Sequence, residues 1–310
     1  MKEDIKDLRW LEIFLWYKCN VRCSFCYQKD LRHQYKENIS KQDVVILLEK
    51  WFFEWKRFVI FSGGEPTLDV NLPFYIEYCR ELWFKHIRVH SNGFKFKDYS
   101  YLEDLYLRWL TWVTLSVHWY KWIHDHISWV KGSFYIIQKA LINFQKLKKQ
   151  HVFFVFDTNT VVCRDNYKTI KFLISFLVNF DITRWQLVLA YSMDLFSHDE
   201  KSKMIPEYKE LKLFFEGMLD ISYKYNRKFV LENVPFCVID KKYWGSILNN
   251  IKIWKDSITI KEWNIWNTNL TWMTGSEKCN GCKLISQCRG VPKDYYQIYW
   301  DSFVNPISND

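Results

Sequence analysis

The chain has 310 residues, with 44 lysines and arginines against 35 acidic residues and a formal net charge of +9. Apolar residues make up 49% of it, which excludes a disordered chain and allows a sizeable core. No uninterrupted apolar run approaches the roughly 20 residues of a transmembrane helix, so we expect no membrane partner. The N-terminal segment is charged and lacks the apolar core of a signal peptide, so the nine cysteines favour the reducing cytoplasm. The 17 tryptophans are far above the usual abundance and indicate a compositional bias of the source.

The first predicted strand, residues 12–17, leads into three cysteines: Cys19, Cys23 and Cys26. Their spacing, C-x3-C-x2-C, supplies three thiolates where a [4Fe–4S] cluster needs four ligands, so one iron would be open to another molecule. A disulfide framework would need an even number of cysteines and a secreted context. A zinc site would need a fourth ligand, and the nearby His33 lies in a polar stretch.

The second predicted strand, residues 57–61, follows a predicted helix over residues 41–55 that Ser40 caps. This strand ends in Ser62, Gly63, Gly64, Glu65 and Pro66. The two glycines would let the backbone approach a ligand closely, and the carboxylate could hold an ammonium group. An ordinary strand-to-helix turn uses the same residue types. The place of this turn, one βα unit after the cysteines, favours the functional interpretation.

The two segments together resemble the radical S-adenosylmethionine (SAM) superfamily, whose signature is C-x3-C-x-aromatic-C followed by a Gly-Gly-Glu strand end. The resemblance implies that the three cysteines bind a [4Fe–4S] cluster, that Phe25 lies beside the adenine of SAM, and that residues 62–65 bind its methionine amino group. It further implies an enzyme that cleaves SAM reductively to a 5′-deoxyadenosyl radical, which abstracts a hydrogen atom. The electron would come from a reducing partner such as flavodoxin or ferredoxin.

The resemblance extends less specifically to polar residues near the ends of the next three predicted strands. These residues are Ser91, Asn92, Ser116, His118 and Asn159. The resemblance implies that they contact SAM, although a satisfied core histidine is an alternative for His118. The stretch 124–134 resembles a loop and helix start found after the fourth strand in many members. No residue has a motif strong enough to name a catalytic acid or base.

Strand and helix patterns alternate along the first two thirds of the chain. Predicted strands cover residues 12–17, 57–61, 86–91, 112–118, 151–162 and 183–191, and predicted helices cover 41–55, 72–82, 99–109, 133–149, 167–178 and about 206–225. Such alternation predicts an α/β fold, a partial (β/α)6 TIM-type barrel, with the chemistry at the carboxyl ends of the strands. The resemblance implies the same core. We expect a core domain over 1–195, a connecting helical segment over 196–229 and a small irregular cysteine-rich domain over 230–310.

The tail carries a second group of cysteines: Cys279, Cys282 and Cys288, with Cys237 upstream. Four thiolates can close a structural zinc site or a fully ligated iron–sulfur cluster, and the spacing alone does not choose between them. The tail resembles the twitch domain, a shortened SPASM domain that carries an auxiliary cluster in radical SAM enzymes. The resemblance implies a second [4Fe–4S] cluster on these four cysteines. Turns are predicted at 249–250 and 267–269.

Three substrate classes remain open. Enzymes with auxiliary clusters often modify peptides, which favours a peptide substrate, and a stand-alone peptide-recognition protein would then replace an N-terminal recognition domain. A small metabolite is the second class. RNA is favoured only by the net charge, so a nucleic-acid partner is not expected. A different alternative is a non-catalytic metal-binding or electron-transfer protein, which would need both cysteine groups but no Gly-Gly-Glu site.

Overall fold

The computed structural model describes residues 10–192, 195–247, 255–258, 265–267 and 273–308. The charged N-terminal segment, the predicted turn at 249–250 and residues 268–269 of the other predicted turn lie outside these residues.

A sheet of nine described strands forms the centre of the molecule. Seven parallel strands pair in chain order, and they are β1 Trp10–Trp16, β2 Phe58–Gly63, β3 His86–Ser91, β4 Trp112–Ser116, β5 Val155–Val162, β6 Trp185–Leu189 and β7 Phe229–Glu232. On the other side of β1, β8 (Lys255–Ile258) pairs parallel to it, and β9 (Ile265–Asn267) pairs antiparallel to β8. The predicted partial barrel is therefore confirmed, and β7 to β9 are additions that the sequence patterns did not predict.

Helices follow most of the strands and cover the outside of the sheet. They are α1 Leu31–Gln34, α2 Lys41–Phe53, α3 Leu72–Glu81, α4 Tyr99–Leu107, α5 Trp122–Ser128, α6 Ser133–Gln150, α7 Ile170–Leu177, α8 His198–Met204, α9 Tyr208–Lys224 and α10 Lys293–Tyr299. The predicted cap of α2 is confirmed, because Ser40 Oγ accepts a hydrogen bond from the backbone N–H of Asp43 at 3.1 Å. A short hairpin of β10 (Met273–Thr274) and β11 (Val291–Pro292) lies in the tail.

Aromatic side chains close one end of the barrel. Trp10 at the start of β1 contacts Phe58 at the start of β2 and Trp112 at the start of β4, with ring centroids 5.1 and 5.9 Å apart. Because β1 and β4 are not neighbours in the sheet, the contact between Trp10 and Trp112 crosses the interior of the barrel. We therefore expect a ligand to bind at the other end, where the strands have their carboxyl ends.

Within the described residues, no helix has the length and apolar character that a membrane crossing requires.

Candidate active site

The turn after β2 packs directly on the chain that leads from β1 into the cysteine loop. The backbone N–H of Gly64 donates to Trp16 O at 2.7 Å, and that of Glu65 donates to Lys18 O at 2.9 Å. A Cβ atom on Gly63 would lie 2.3 Å from Trp16 O, and one on Gly64 would lie 2.1 Å from Lys18 O. Both positions therefore need glycine because two backbone segments approach closely, a reason that the sequence did not reveal.

Glu65 is fully buried and connects this turn to the end of β3. Its Oε1 accepts from Ser91 Oγ at 2.8 Å, and its Oε2 accepts from the backbone N–H of Asn92 at 2.7 Å. Burial raises the pKa of this carboxyl group, and hydrogen bonds from Thr67, Asn92 and Ser91 oppose the rise. The side-chain amide of Asn92 lies 3.7 Å from Cys19 Sγ. Four residues from distant segments that the sequence singled out thus form one connected group.

The three cysteines of the first loop are unpaired thiols within reach of hydrogen-bond donors. Arg32 Nη2 lies 3.4 Å from Cys26 Sγ, which is a contact that the sequence did not predict. Burial raises the pKa of Cys19 to about 11 and also raises that of Cys23, and each of these two thiols also interacts electrostatically with Cys26. Hydrogen bonds to sulfur stabilise the thiolate form, so the loop fits an iron–sulfur cluster chemically.

His33, the alternative zinc ligand, is exposed in α1. Within the described part of the chain, no three or more His, Cys, Asp or Glu side chains are arranged to hold a metal ion as they stand.

Phe25 and His118 are brought together at the mouth of the barrel. Their rings meet edge to face, with centroids 4.6 Å apart. Burial lowers the pKa of His118 to about 3, so the imidazole is neutral, and its Nδ1 accepts from the backbone N–H of Val161 at 3.3 Å. Ser116 and Asn159 are register partners at the ends of β4 and β5. The Oδ1 atom of Asn159 is buried without a hydrogen-bond partner, which fits a ligand that donates to it.

Ser62 differs from its neighbours because its hydroxyl group donates to Glu12 Oε1 at 2.8 Å. Glu12 is buried on β1, and the same Oε1 lies 3.7 Å from His90 Nδ1 on β3. Since β1 and β3 do not pair, these side chains meet inside the barrel. The sequence analysis missed Glu12, although an acidic residue within the apolar run Trp10–Trp16 was a visible signal.

The four tail cysteines line one cavity of about 420 Å³. Backbone N–H groups point at two of the sulfurs, because Cys288 Sγ accepts from Gly290 at 3.5 Å and from Phe236, and Cys237 Sγ accepts from Asn305. Burial raises the pKa of Cys237 to about 11 and raises that of Cys288. Leu284, Ile285 and Ile307 add apolar surface to the wall. The structure therefore brings together thiols that are up to 51 positions apart in the sequence, from Cys237 to Cys288.

The family profile described as the radical SAM superfamily matches residues 13–177, which is more than half of the chain. The chain belongs to the radical SAM superfamily. The match includes the three cysteines of the first loop and the Gly-Gly-Glu turn. Family membership implies a [4Fe–4S] cluster and SAM as cofactors, and it identifies the protein as an enzyme.

Curated relatives cover a wide range of activities. A 7,8-dihydro-6-hydroxymethylpterin dimethyltransferase of Methanocaldococcus jannaschii is 30% identical over 90 residues, which are 28% of this chain and 18% of that protein. An S-adenosylmethionine-dependent nucleotide dehydratase of Lacinutrix mariniflava is 27% identical over 188 residues, which are 56% of this chain and 37% of that protein. This radical SAM enzyme thus matches well under half of the length of either relative.

Solved structures match nearly the whole fold. Streptococcus suis SuiB bound to its precursor peptide SuiA has a TM-score of 0.66 at 16% identity, over 93% of this chain and 72% of that one. The enzyme anSMEcpe with bound AdoMet and a Cp18Cys peptide has a TM-score of 0.64 at 16% identity, over 95% and 96% of the two chains. At these identities the likeness establishes the fold.

Proposed function

We propose that this radical SAM enzyme modifies a peptide, with a SAM-binding [4Fe–4S] cluster at the barrel mouth and an auxiliary cluster in a twitch-like tail. The observation that carries the proposal is the single cavity on which Cys237, Cys279, Cys282 and Cys288 converge. Four thiols fully ligate a [4Fe–4S] cluster, and N–H donors to sulfur tune such clusters. Zinc remains the second occupant to test.

In the proposed site, Cys19, Cys23 and Cys26 hold the first cluster. Glu65 provides an acceptor for the amino group of SAM. Ser91 and Asn92 hold the Glu65 carboxylate in place, because each donates to one of its two oxygens. When bound, the reduced cluster and SAM supply hydrogen-atom abstraction.

Phe25 and His118 form a wall for the adenine of SAM in the same proposal. The unpartnered Oδ1 of Asn159 would accept a hydrogen bond from a hydroxyl group of the cofactor, with Ser116 beside it on β4. Gly63 and Gly64 hold the cluster loop against β2, and Ser62 orients Glu12 within the barrel.

Two solved enzymes of the same fold contain a bound peptide, which favours a peptide over the alternatives. A small metabolite is the second candidate, since the curated relatives include a nucleotide dehydratase. An RNA substrate has only the net charge of +9 in its favour. The proposal includes a cytoplasmic enzyme with a flavodoxin- or ferredoxin-like electron donor and, for a peptide, a separate recognition protein.

Anaerobic iron and sulfide analysis of the purified enzyme tests the two-cluster proposal. About eight iron atoms per chain are expected, against about four if the tail holds zinc or nothing. Cys23→Ala is expected to abolish formation of 5′-deoxyadenosine from SAM and dithionite. Cys282→Ala is expected to retain it and to lower the iron content by about half. Iron near eight in Cys282→Ala would contradict the tail site.

Incubation with peptides tests the substrate class. The enzyme is incubated with SAM, dithionite and short peptides encoded beside its gene, and each peptide is then examined by mass spectrometry. A mass change that requires SAM supports the proposal. Release of 5′-deoxyadenosine without any change in these peptides, together with a changed nucleotide or metabolite, would favour the second candidate.

A further inference from the structure

The corner between α5 and α6, residues 128–133, is hydrogen-bonded to the cluster loop, residues 19–26. The backbone N–H groups of Arg22 and Ser24 donate to the carbonyls of Ser128 and Ile127, each at 3.0 Å. These carbonyls belong to the last turn of α5, where helix carbonyls have no partner within the helix. The two hydrogen bonds flank Cys23 on both sides, so the position of this cysteine follows the position of the end of α5.

Asp125 fixes that corner through a partly buried network of hydrogen bonds. Its Oδ2 accepts from the backbone N–H of Gly132 at 2.6 Å, and its Oδ1 accepts from Phe134 N at 3.0 Å and from Ser133 Oγ at 2.9 Å. Ser128 Oγ in turn donates to Ser133 Oγ at 2.9 Å. The carboxylate therefore ties the end of α5 to the beginning of α6.

The network also reaches the adenine wall. His124 Nδ1 lies 2.7 Å from Ser133 Oγ, and its ring stacks on that of His118 with centroids 6.1 Å apart. His118 contacts Phe25, which lies between Cys23 and Cys26. Two routes, one through backbone carbonyls and one through rings, thus connect Asp125 to the same loop.

We propose that Asp125 is a positioning residue that sets the geometry of the cluster loop, an inference that rests on the proposed cluster ligands. The carboxylate does not touch cluster or SAM. It fixes the two carbonyls that hold the peptide groups beside Cys23, and misplacement of a ligand by a fraction of an ångström is enough to impair a site of this kind.

The test uses the full chain with Cys282→Ala, so that only the first cluster contributes to the electron paramagnetic resonance (EPR) spectrum. In this background, Asp125→Ala is expected to bind iron but to show altered g-values after reduction and a weaker spectral change on addition of SAM. 5′-Deoxyadenosine formation is expected to fall at least about tenfold, mainly through a higher KM for SAM, with partial recovery in Asp125→Asn.

Asp98→Ala is the matched control. Asp98 likewise caps a helix, since its Oδ1 accepts from Ser100 N at 3.2 Å and Ser100 Oγ at 2.9 Å, but it holds α4 rather than α5. Its variant is expected to keep the parent spectrum and rate. A parent-like spectrum and KM in folded Asp125→Ala would overturn the inference. Absence of a reducible cluster in the parent itself would instead overturn the proposed ligands.

A separate feature of the backbone carries a second inference. Five of the nine described non-glycine residues with positive φ are tryptophans: Trp55, Trp83, Trp109, Trp129 and Trp300. All five side chains are exposed, between 52% and 85%. Positive φ costs a residue with a Cβ atom roughly 1–2 kcal/mol, which glycine avoids. Little packing offsets this cost, because each side chain is more than half exposed.

Four of these tryptophans occupy the glycine position of a Schellman motif. In this motif the N–H two positions after the helix donates to the carbonyl five residues earlier. Lys56 N donates to Trp51 O at 3.1 Å, Phe84 N to Cys79 O at 2.9 Å, Leu110 N to Leu105 O at 2.9 Å and Val130 N to Asp125 O at 3.2 Å. A fifth such turn, where Arg227 N donates to Ser222 O, has Asn226 at the same position, the usual second choice.

The composition agrees with the geometry. Nine glycines in 310 residues are less than half of the roughly 7% that is typical, while tryptophan is in excess. We infer that the source organism has glycine at these five positions. It would read as glycine a codon that is otherwise translated as tryptophan. Residues 129 and 130 form the turn that ends α5. A glycine at position 129 would therefore also affect the helix end that contacts the cluster loop.

Peptide mass spectrometry of the protein isolated from its source tests this inference. Glycine masses at the five positions support it, and tryptophan masses overturn it. In the recombinant chain, each Trp→Gly change at these positions is expected to raise Tm by roughly 1–3 °C. Trp122→Gly is the matched control, because Trp122 is 72% exposed in the first turn of α5 without positive φ, and its variant is expected to lower Tm. Equal effects at both kinds of position would contradict the inference.

Discussion

Gly64 shows how much the site depends on the absence of a single side chain. A methyl group there would meet Lys18 O at 2.1 Å and backbone carbons of Tyr17 and Lys18 at 2.6 Å, so the chain before Cys19 would have to move. We expect Gly64→Ala to destabilise the protein by about 1–3 kcal/mol and to lower its iron content and its rate of SAM cleavage. Denaturant unfolding, iron analysis and 5′-deoxyadenosine formation measure the three effects.

Gly217 provides the control for that substitution. It lies exposed within α9, and a Cβ atom on it would have nothing within 4 Å. Gly217→Ala is therefore expected to stabilise the protein by up to about 1 kcal/mol, because alanine is the better helix former. If both variants gained stability, the close approach of β2 to the cluster loop would not be the reason for the glycine.

Burial of His124 makes the stability of the protein depend on pH. Burial lowers its pKa to about 4, against about 6.5 in an unfolded chain. Between these values the unfolded state binds the extra proton, so the free energy of unfolding falls as the pH falls from 6.5 towards 4. For this histidine the loss is on the order of 3 kcal/mol, and buried His118 adds to it.

We expect His124→Gln to reduce that loss. Denaturant midpoints of parent and variant are measured at pH 7 and pH 4.5, and the difference between the two pH values is expected to be smaller in the variant. Asp125, whose carboxyl pKa is lowered by its hydrogen bonds against the opposing effect of burial, titrates below this window and is common to both proteins. An equal pH dependence would show that protonation of His124 does not limit stability.

Among the helices and strands, the sequence predicted those whose signals lie within a few neighbouring residues. The α2 boundary followed from Ser40, and β1 to β6 followed from apolar runs, because capping and strand burial are encoded within a few residues. The strands β7, β8 and β9 have only three or four residues each, and their pairing to β6, β1 and β8 respectively depends on the edges of the barrel sheet. Helix α8 lies within the predicted helical segment 196–229, but its bounds were not predicted although Ser197 and Glu200 form a capping box that the sequence displays.

The candidate site divides in the same way. The cysteine loop and the Gly-Gly-Glu turn could be recognised because their residues are contiguous. Glu12 could have been noticed as an acidic residue within an apolar strand. Its contact with Ser62, and the contacts of the α5 carbonyls with Arg22 and Ser24, could not be recognised, because distant segments contribute the partners.

At the scale of the whole molecule, the barrel depends on an ion network above its aromatic floor. Asp157 on β5 is fully buried and accepts from Arg88 on β3 at 3.2 Å, from Arg184 before β6 at 2.8 Å and from Thr114 on β4 at 2.6 Å. Arg88 and Asp157 lie on strands that do not pair, so the bond crosses the interior. A single carboxylate thus joins four successive βα units.

Asp157→Asn removes the negative charge at nearly constant volume and leaves the guanidinium groups of Arg88 and Arg184 without this carboxylate as a counter-ion. Breaking a buried ion pair from one side costs about 3–5 kcal/mol, and we expect a loss of this size in the free energy of unfolding. Asp199→Asn is the control, because Asp199 pairs with Lys203 on the exposed face of α8, and its loss is expected to stay below about 0.5 kcal/mol. Because the floor lies at the end of the barrel opposite the cysteine loop, the folded fraction of Asp157→Asn is expected to cleave SAM within about twofold of the parent rate per iron. A selective loss of cleavage in well-folded protein would instead place the ion network within the site itself.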